Sequence, residues 1–308
     1  MPMKPTRFKS IAEFLHFRNL PKPDHPLISV VNLGQFAGKD WSEMEAVSLV
    51  FDFYSISIKH QFPAKLHYGQ QQYDFDEGIM SFIAPGQVFG MEPHPGTLSH
   101  PAGWLLLLHP DFLWNTALAK TIKNYPYFGY AVHEALFLSD KEEATITAII
   151  GDIEREYLAR IDGFSQDIII AQIELLLTYS QRFYQRQFIT RKITNHGILD
   201  RLESLLTDYF QGDAVARHGL PTVQFIAKSL NISPNYLSEL LTVLTGQSTQ
   251  QHIHDKLIER AKAELSTTDL TVSEIAFRLG FEHSQSFNKL FKKKTRLSPL
   301  DFRRSVAF

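Results

Sequence analysis

Apolar and polar positions change their rhythm twice along this 308-residue chain. Up to about residue 40 the pattern is loose and punctuated by Pro21, Pro23 and Pro26, with a first strand expected at 27–33. From there to His109, short apolar or alternating runs are broken by Gly, Pro, Asn and Asp. This is the signature of short strands, expected at 46–58, 65–68, 71–75, 79–83 and 103–109. Strands this short and this closely spaced favour a small antiparallel barrel or jelly roll. Beyond Pro110 the period lengthens to that of helices, expected at 111–116, 140–159 and 165–188. In the last of these Ile169, Ile173, Leu176, Leu177, Phe183 and Tyr184 fall near one stripe.

The final third carries a short pattern twice. Thr222, Ile226, Ala227 and Leu230 recur 49 positions on as Thr271, Ile275, Ala276 and Leu279. After one inserted residue, Leu237, Leu240, Thr245 and Ser248 recur 50 positions on as Phe287, Leu290, Thr295 and Ser298. Each copy reads as a short helix, a turn and a second amphipathic helix, which is a helix-turn-helix layout. In the first copy Ser233 is placed to cap the second helix and Pro234 to be its first residue. In the second, Thr271 and Glu274 form a capping box and Gly280 supplies the turn. A helix expected at 249–265, opened by a Ser248/Gln251 capping box, joins the copies with an Ile253, Leu257, Ala261 stripe. At ~25 Å it can hold two helix-turn-helix heads about one turn of DNA apart, ~34 Å.

The phrases IAKSLNISPNYLSELL (226–241) and SEIAFRLGFEHSQSFNKLFKKKTRLSP (273–299) resemble the AraC/XylS family of bacterial transcription regulators. The resemblance implies an all-α C-terminal domain with tandem helix-turn-helix units that binds double-stranded DNA. It also implies an N-terminal cupin-like β-barrel with flanking helices; the strand and turn at 78–90, with Pro85-Gly86, look like part of that sensor half. The expected organisation is therefore α+β in two domains: 1–190 as sensor and dimerisation domain, 191–197 as linker, and 198–308 as DNA-binding domain. Its helix-turn-helix units fall at about 222–244 and 271–294.

Charge supports this division. Net charge is −2, but residues 217–308 hold 13 Lys+Arg against 8 Asp+Glu, so the acidic excess lies upstream. With Leu237, Leu240, Leu241 and Leu244 turned to the core, the family pattern places base reading in the first unit at Asn235, Ser238 and Glu239. In the second it places base reading at Ser284, Gln285, Asn288 and Lys289. Phosphate contact falls to Lys292, Lys293, Lys294, Arg296, Arg303 and Arg304. Glu239 and Thr242 stand where basic residues are frequent in the family, and Arg296 where a glycine is usual.

Chemistry other than binding finds little support. There is no cysteine, hence no disulfide or thiolate metal site. No paired histidines lie on the strands; His252 and His254 are two apart on a helix and diverge. No metal, cofactor or catalytic set is expected, and the chain is read as a non-enzyme; the alternative is a metal-independent cupin-type enzyme fused to a DNA-binding module. Neither a secretory apolar segment nor a ~20-residue membrane span is present, so the expected location is the cytoplasm. The family resemblance adds a small-molecule effector, with Tyr54, Lys59, His67, Tyr68 and Trp104 as inward candidates. It further adds a homodimer through helix 165–188, and RNA polymerase as a partner.

Overall fold

The computed structural model describes residues 5–36, 47–60, 67–68, 71–72, 78–91, 102–131, 134–159, 162–212 and 214–306. The chain divides into two compact units, Met1–Gln187 and Phe188–Phe308.

The first unit mixes strands and helices. In chain order it contains β1 (Thr6–Phe8), α1 (Ile11–Phe17), β2 (Ile28–Asn32), β3 (Val47–Phe51), β4 (Tyr54–His60), β5 (His67–Tyr68), β6 (Gln71–Gln72), β7 (Gly78–Ile83), β8 (Val88–Met91), β9 (Ala102–Leu108), α2 (Leu118–Thr121), β10 (Leu136–Leu138), α3 (Asp140–Leu158) and all but the last three residues of α4 (Ser165–Thr190). The described strands make a five-stranded sheet in the order β10-β7-β4-β9-β2, a three-stranded sheet β1-β3-β8, and the β5-β6 pair. All pairings are antiparallel except β1 with β3. No pairing among the described residues closes these sheets into a barrel, so the described fold is mixed α and β with open sheets.

The strand expected at 46–58 divides into β3 and β4, those at 27–33, 79–83 and 103–109 appear as β2, β7 and β9 within a residue at each end, and β1, α1, β8, α2 and β10 were not anticipated. Parts of the expected strands at 65–68 and 71–75 lie outside the described residues. The β1-α1 start is held by a Ser10/Glu13 capping box, and Phe8, Ile11, Phe14 and Leu15 are buried.

The five-stranded sheet is buried on both sides because the strand period alternates two apolar sets. Leu107, Ile83 and Val31 join Phe8, Phe14, Leu49, Phe51 and Phe89 in one core with the three-stranded sheet. There the Phe14 and Phe53 rings lie 4.6 and 4.7 Å from that of Phe51. The opposite face, with Ile56, Ile58, Met80 and Phe82, packs on the aromatic turn at 126–129 and on α4. Phe82 and Tyr127 rings are 4.4 Å apart, Tyr127 donates its hydroxyl to Leu177 O at 2.8 Å, and Ser180 reaches Met80.

The second unit is all-α: α5 (Lys192–Gln211), α6 (Ala214–His218), α7 (Val223–Leu230), α8 (Pro234–Thr245), α9 (Thr249–Thr267), α10 (Val272–Arg278), α11 (Ser284–Thr295) and α12 (Pro299–Val306). The stretch 191–197, expected as a linker, forms the N-cap and first turns of α5. α12, unanticipated, starts at Pro299 and is held through Phe302, whose ring lies 5.6 Å from Phe291. Capping is local: Thr222, Ser233, Ser248 and Thr271 each accept an N–H from three residues on.

The repeat extends to the backbone. Asn231 and Gly280, 49 apart, both take the left-handed conformation after the first helix of each copy; Gly246 and Arg296, 50 apart, do so after the second. Gly280 has a second reason to lack a side chain, since an added Cβ would sit 2.9 Å from Val215 Cγ1 and 3.2 Å from Gly219 C. Arg296 bears the left-handed strain that glycine would relieve. Gly280→Ala should therefore lower the stability of this unit by about 2 kcal/mol, while Arg296→Gly should raise it by about 1 kcal/mol. Denaturant midpoints of the two variants moving in the same direction would contradict this.

Candidate nucleic-acid interface

The surface that could meet DNA is set by what each second helix buries. On α11, Phe287 and Phe291 are fully buried, so Gln285, Asn288, Lys289 and Lys292 form an exposed stripe at helical spacing. Lys293 and Arg304 are also exposed, and Ser284 opens the helix. A groove of about 420 Å³ runs beside this stripe, between α11 and the start of α12. Asn288, Lys289 and Lys292 form one wall and Ser298, Pro299 and Leu300 the other. His283, which stands where the first copy has its capping Ser233, makes no side-chain cap. The positive N-terminal end of α11 is thus left open to an anionic acceptor.

α8 is different. Tyr236, Leu237, Leu240 and Leu241 are buried and Asn235 and Thr242 are exposed, but Ser238 and Glu239 are half-buried. Ser238 Oγ lies 3.3 Å from Thr249 Oγ1, turned toward the start of α9. Thr242 bonds back to Ser238 O at 2.8 Å. Burial pushes the Glu239 carboxyl above the usual carboxylate range. Its charge is therefore the more easily given up beside phosphates. This helix presents no lysine or arginine.

Two of the cations expected at phosphates are bonded within the unit. Lys294 Nζ is 2.6 Å from Asp255 Oδ1. Arg303 donates from Nε to Leu265 O at 3.1 Å, closing an orphan carbonyl in the last turn of α9. Arg296 is exposed at the left-handed C-cap of α11. Arg201 was not singled out from sequence, yet it donates from Nη2 to Leu230 O at 3.2 Å and ties α5 to the end of α7. Nothing local marks such contacts, because donor and acceptor lie 29 and 38 residues apart. His252 and His254 point to separate partners, Thr245 Oγ1 at 2.9 Å and Gln250 Nε2 at 3.0 Å.

In the first unit the described effector candidates fall on two faces of the five-stranded sheet. Tyr54 and Trp104 share the sheet face of Ile56 and Ile58, where Tyr54 packs on Phe128 at 5.0 Å. Lys59 lies on the opposite, inner face with Ser57 and Ser81, whose hydroxyls are 2.7 Å apart. Burial, and then the nearby charge of Arg18, hold the Lys59 ammonium below the usual lysine range. His67 and Tyr68 form β5, and their side chains lie outside the described residues.

Two short-helix units with capped turns on one central helix define the second unit as a tandem helix-turn-helix domain, and residues 226–305 match the family described as helix-turn-helix domain. The uncharacterized HTH-type transcriptional regulator YijO of Escherichia coli is 37% identical over 83 residues, covering 27% of this chain and 29% of that protein. The arabinose operon regulatory protein of Salmonella typhimurium is 35% identical over 78 residues, covering 25% of this chain and 28% of the relative. The chain thus spans less than a third of the length of these curated relatives. Among solved structures, the C-terminal domain of AraT, a response regulator from Geobacillus stearothermophilus, is 30% identical. It covers 35% of this chain and 84% of that one, with a TM-score of 0.31. These matches all fall within the C-terminal unit, which is similar to helix-turn-helix transcription regulators of the AraC type. No helix among the described residues is long and apolar enough to cross a membrane.

Proposed function

We propose that the protein is a dimeric transcription regulator that reads duplex DNA through α8 and α11 and is controlled by a small molecule in its N-terminal unit. The observation that carries the DNA reading is the exposed Gln285, Asn288, Lys289, Lys292 stripe on α11, opposite buried Phe287 and Phe291. Amide side chains at positions 285 and 288 suit bidentate contact with adenine, and a lysine at 289 suits guanine O6/N7. Lys292, Lys293 and Arg304 supply charge for phosphates, which fixes register without reading sequence. The α8 face, with Asn235 and the half-buried Glu239, contributes reading with little electrostatic attraction, so α11 dominates affinity.

Dimerisation is supported by the outer side of α4. Phe164, Ile168 and Leu175 recur at helical spacing and stay exposed, 71% in the case of Phe164, while Ile169, Ile173, Leu176 and Leu177 face the sheet. The effector reading is supported by the inner sheet face, where Lys59, Ser57 and Ser81 adjoin the half-buried Leu33, Phe36 and Leu105. On this reading the five- and three-stranded sheets are two walls of an open cupin-like sandwich. Effector binding biases the dimer between two arrangements that differ in whether paired heads reach their sites.

Three outcomes follow. Lys289→Ala should weaken duplex binding at least tenfold more than Ser238→Ala; equal or reversed losses in a titration would mean that the two heads share the work. Sedimentation should give a dimer for the full chain and a monomer for Ile168→Glu, and a wild-type monomer at micromolar concentration would reject the α4 interface. At least one small metabolite should raise the melting temperature of the chain; a broad panel that leaves it unmoved counts against the effector.

A further inference from the structure

One carboxylate, Asp255 in the second turn of α9, is bonded from both sides. Its Oδ1 takes Lys294 Nζ at 2.6 Å, and its Oδ2 takes Gln247 Nε2 at 3.1 Å. Lys294 lies in the last turn of α11, and Gln247 directly follows the left-handed C-cap of α8 at Gly246. A further bond on the α8 side keeps this junction in place: Thr245 Oγ1 accepts the Gln247 N–H at 3.2 Å and lies 2.9 Å from His252 Nε2. The C-terminal ends of both reading helices are therefore tied to a single side chain on the helix between them.

Apolar packing holds the two units on α9 but is non-directional, and it tolerates small rotations. A charge-assisted hydrogen bond is directional. Asp255 and Lys294 are 44% and 25% exposed, a setting in which an ion pair adds little to stability. Its consequence is geometric. Helices that read DNA contact bases through their N-terminal halves, so fixing both C-terminal ends sets the pitch at which each N-terminal half enters the groove.

We propose that Asp255 is a positioning residue: it sets the angle between α8 and α11 and thereby the base-pair spacing at which the two can read together. It also withholds the Lys294 charge from phosphates, unlike that of the exposed Lys292 and Lys293 beside it. This inference rests on the DNA-binding reading above.

The test uses the full chain and a duplex selected by the wild-type protein from a random 30-bp library. That duplex is compared with one carrying a single inserted base pair between its two contacted segments, and with an unrelated duplex of equal length. Wild type should lose at least tenfold in affinity on the insertion, whereas Asp255→Ala should bind both selected duplexes within about threefold. On the unrelated duplex Asp255→Ala should steepen the slope of log affinity against log salt by about 0.9, the contribution of one freed phosphate contact. The double swap Asp255→Lys with Lys294→Asp should restore the tenfold spacing discrimination. Discrimination retained by Asp255→Ala overturns the proposal, as does a loss that the swap fails to restore, which would mark a merely structural defect. If wild type selects no sequence from the library, the DNA reading itself falls, and this inference with it.

Discussion

Both helix-turn-helix units depend on one buried stripe. Ile253, Leu257, Ala261 and Leu265 of α9 are at most 2% exposed, and α9 contacts α5, α8, α10, α11 and α12. Pairs of helices such as α7–α8 or α10–α11 are too short to enclose a core or to persist alone. By packing on a shared helix about 28 Å long, each obtains the burial that it lacks. The same arrangement separates two reading surfaces along a rigid element and gives them a common orientation. Stability and reading geometry therefore have the same origin.

The copies share a backbone plan but have diverged in charge. Left-handed residues recur at equivalent positions, with Asn231 answering Gly280 and Gly246 answering Arg296. The buried positions are likewise equivalent, Leu237 and Phe287 being both fully buried. What differs is the outer side: α11 carries exposed Lys289, Lys292 and Lys293, while α8 carries the half-buried Glu239 and no cation. On the proposed reading, a duplex is held mainly at one head and checked at the other.

Legibility followed the range of the interaction. Caps at Ser233, Ser248 and Thr271 join residues three apart, so these helix starts were plain in the sequence, as was the α9 stripe; the like cap at Thr222 was not singled out. The Ser10/Glu13 box was equally local but was hidden by the Pro21 to Pro26 punctuation that made the whole start read as loose. Pro299 reads as a helix end after α11, yet Ser298, whose Oγ accepts the Asp301 N–H at 3.1 Å, makes it the first residue of α12. β8 and β10 were missed because they take meaning from partners far along the chain, Leu49 for Phe89 and Ile79 for Phe137. In the candidate interface the exposed residues of α11 followed from helical period together with the family pattern. The attachments of Lys294, Arg303 and Arg201 did not, because long-range polar contacts leave no local pattern. The sheet faces of Tyr54, Lys59 and Trp104 were similarly hidden: both faces of the five-stranded sheet are buried, so alternation no longer distinguishes inside from outside.

Footprinting of the selected duplex at base-pair resolution, across a salt series, tests the central claim most directly. Two protected major-groove segments about 10 base pairs apart are expected, the one under α8 fading first as salt rises and the one under α11 persisting. A single protected segment, or two that fade together, would contradict a tandem reader with an electrostatically dominant second head.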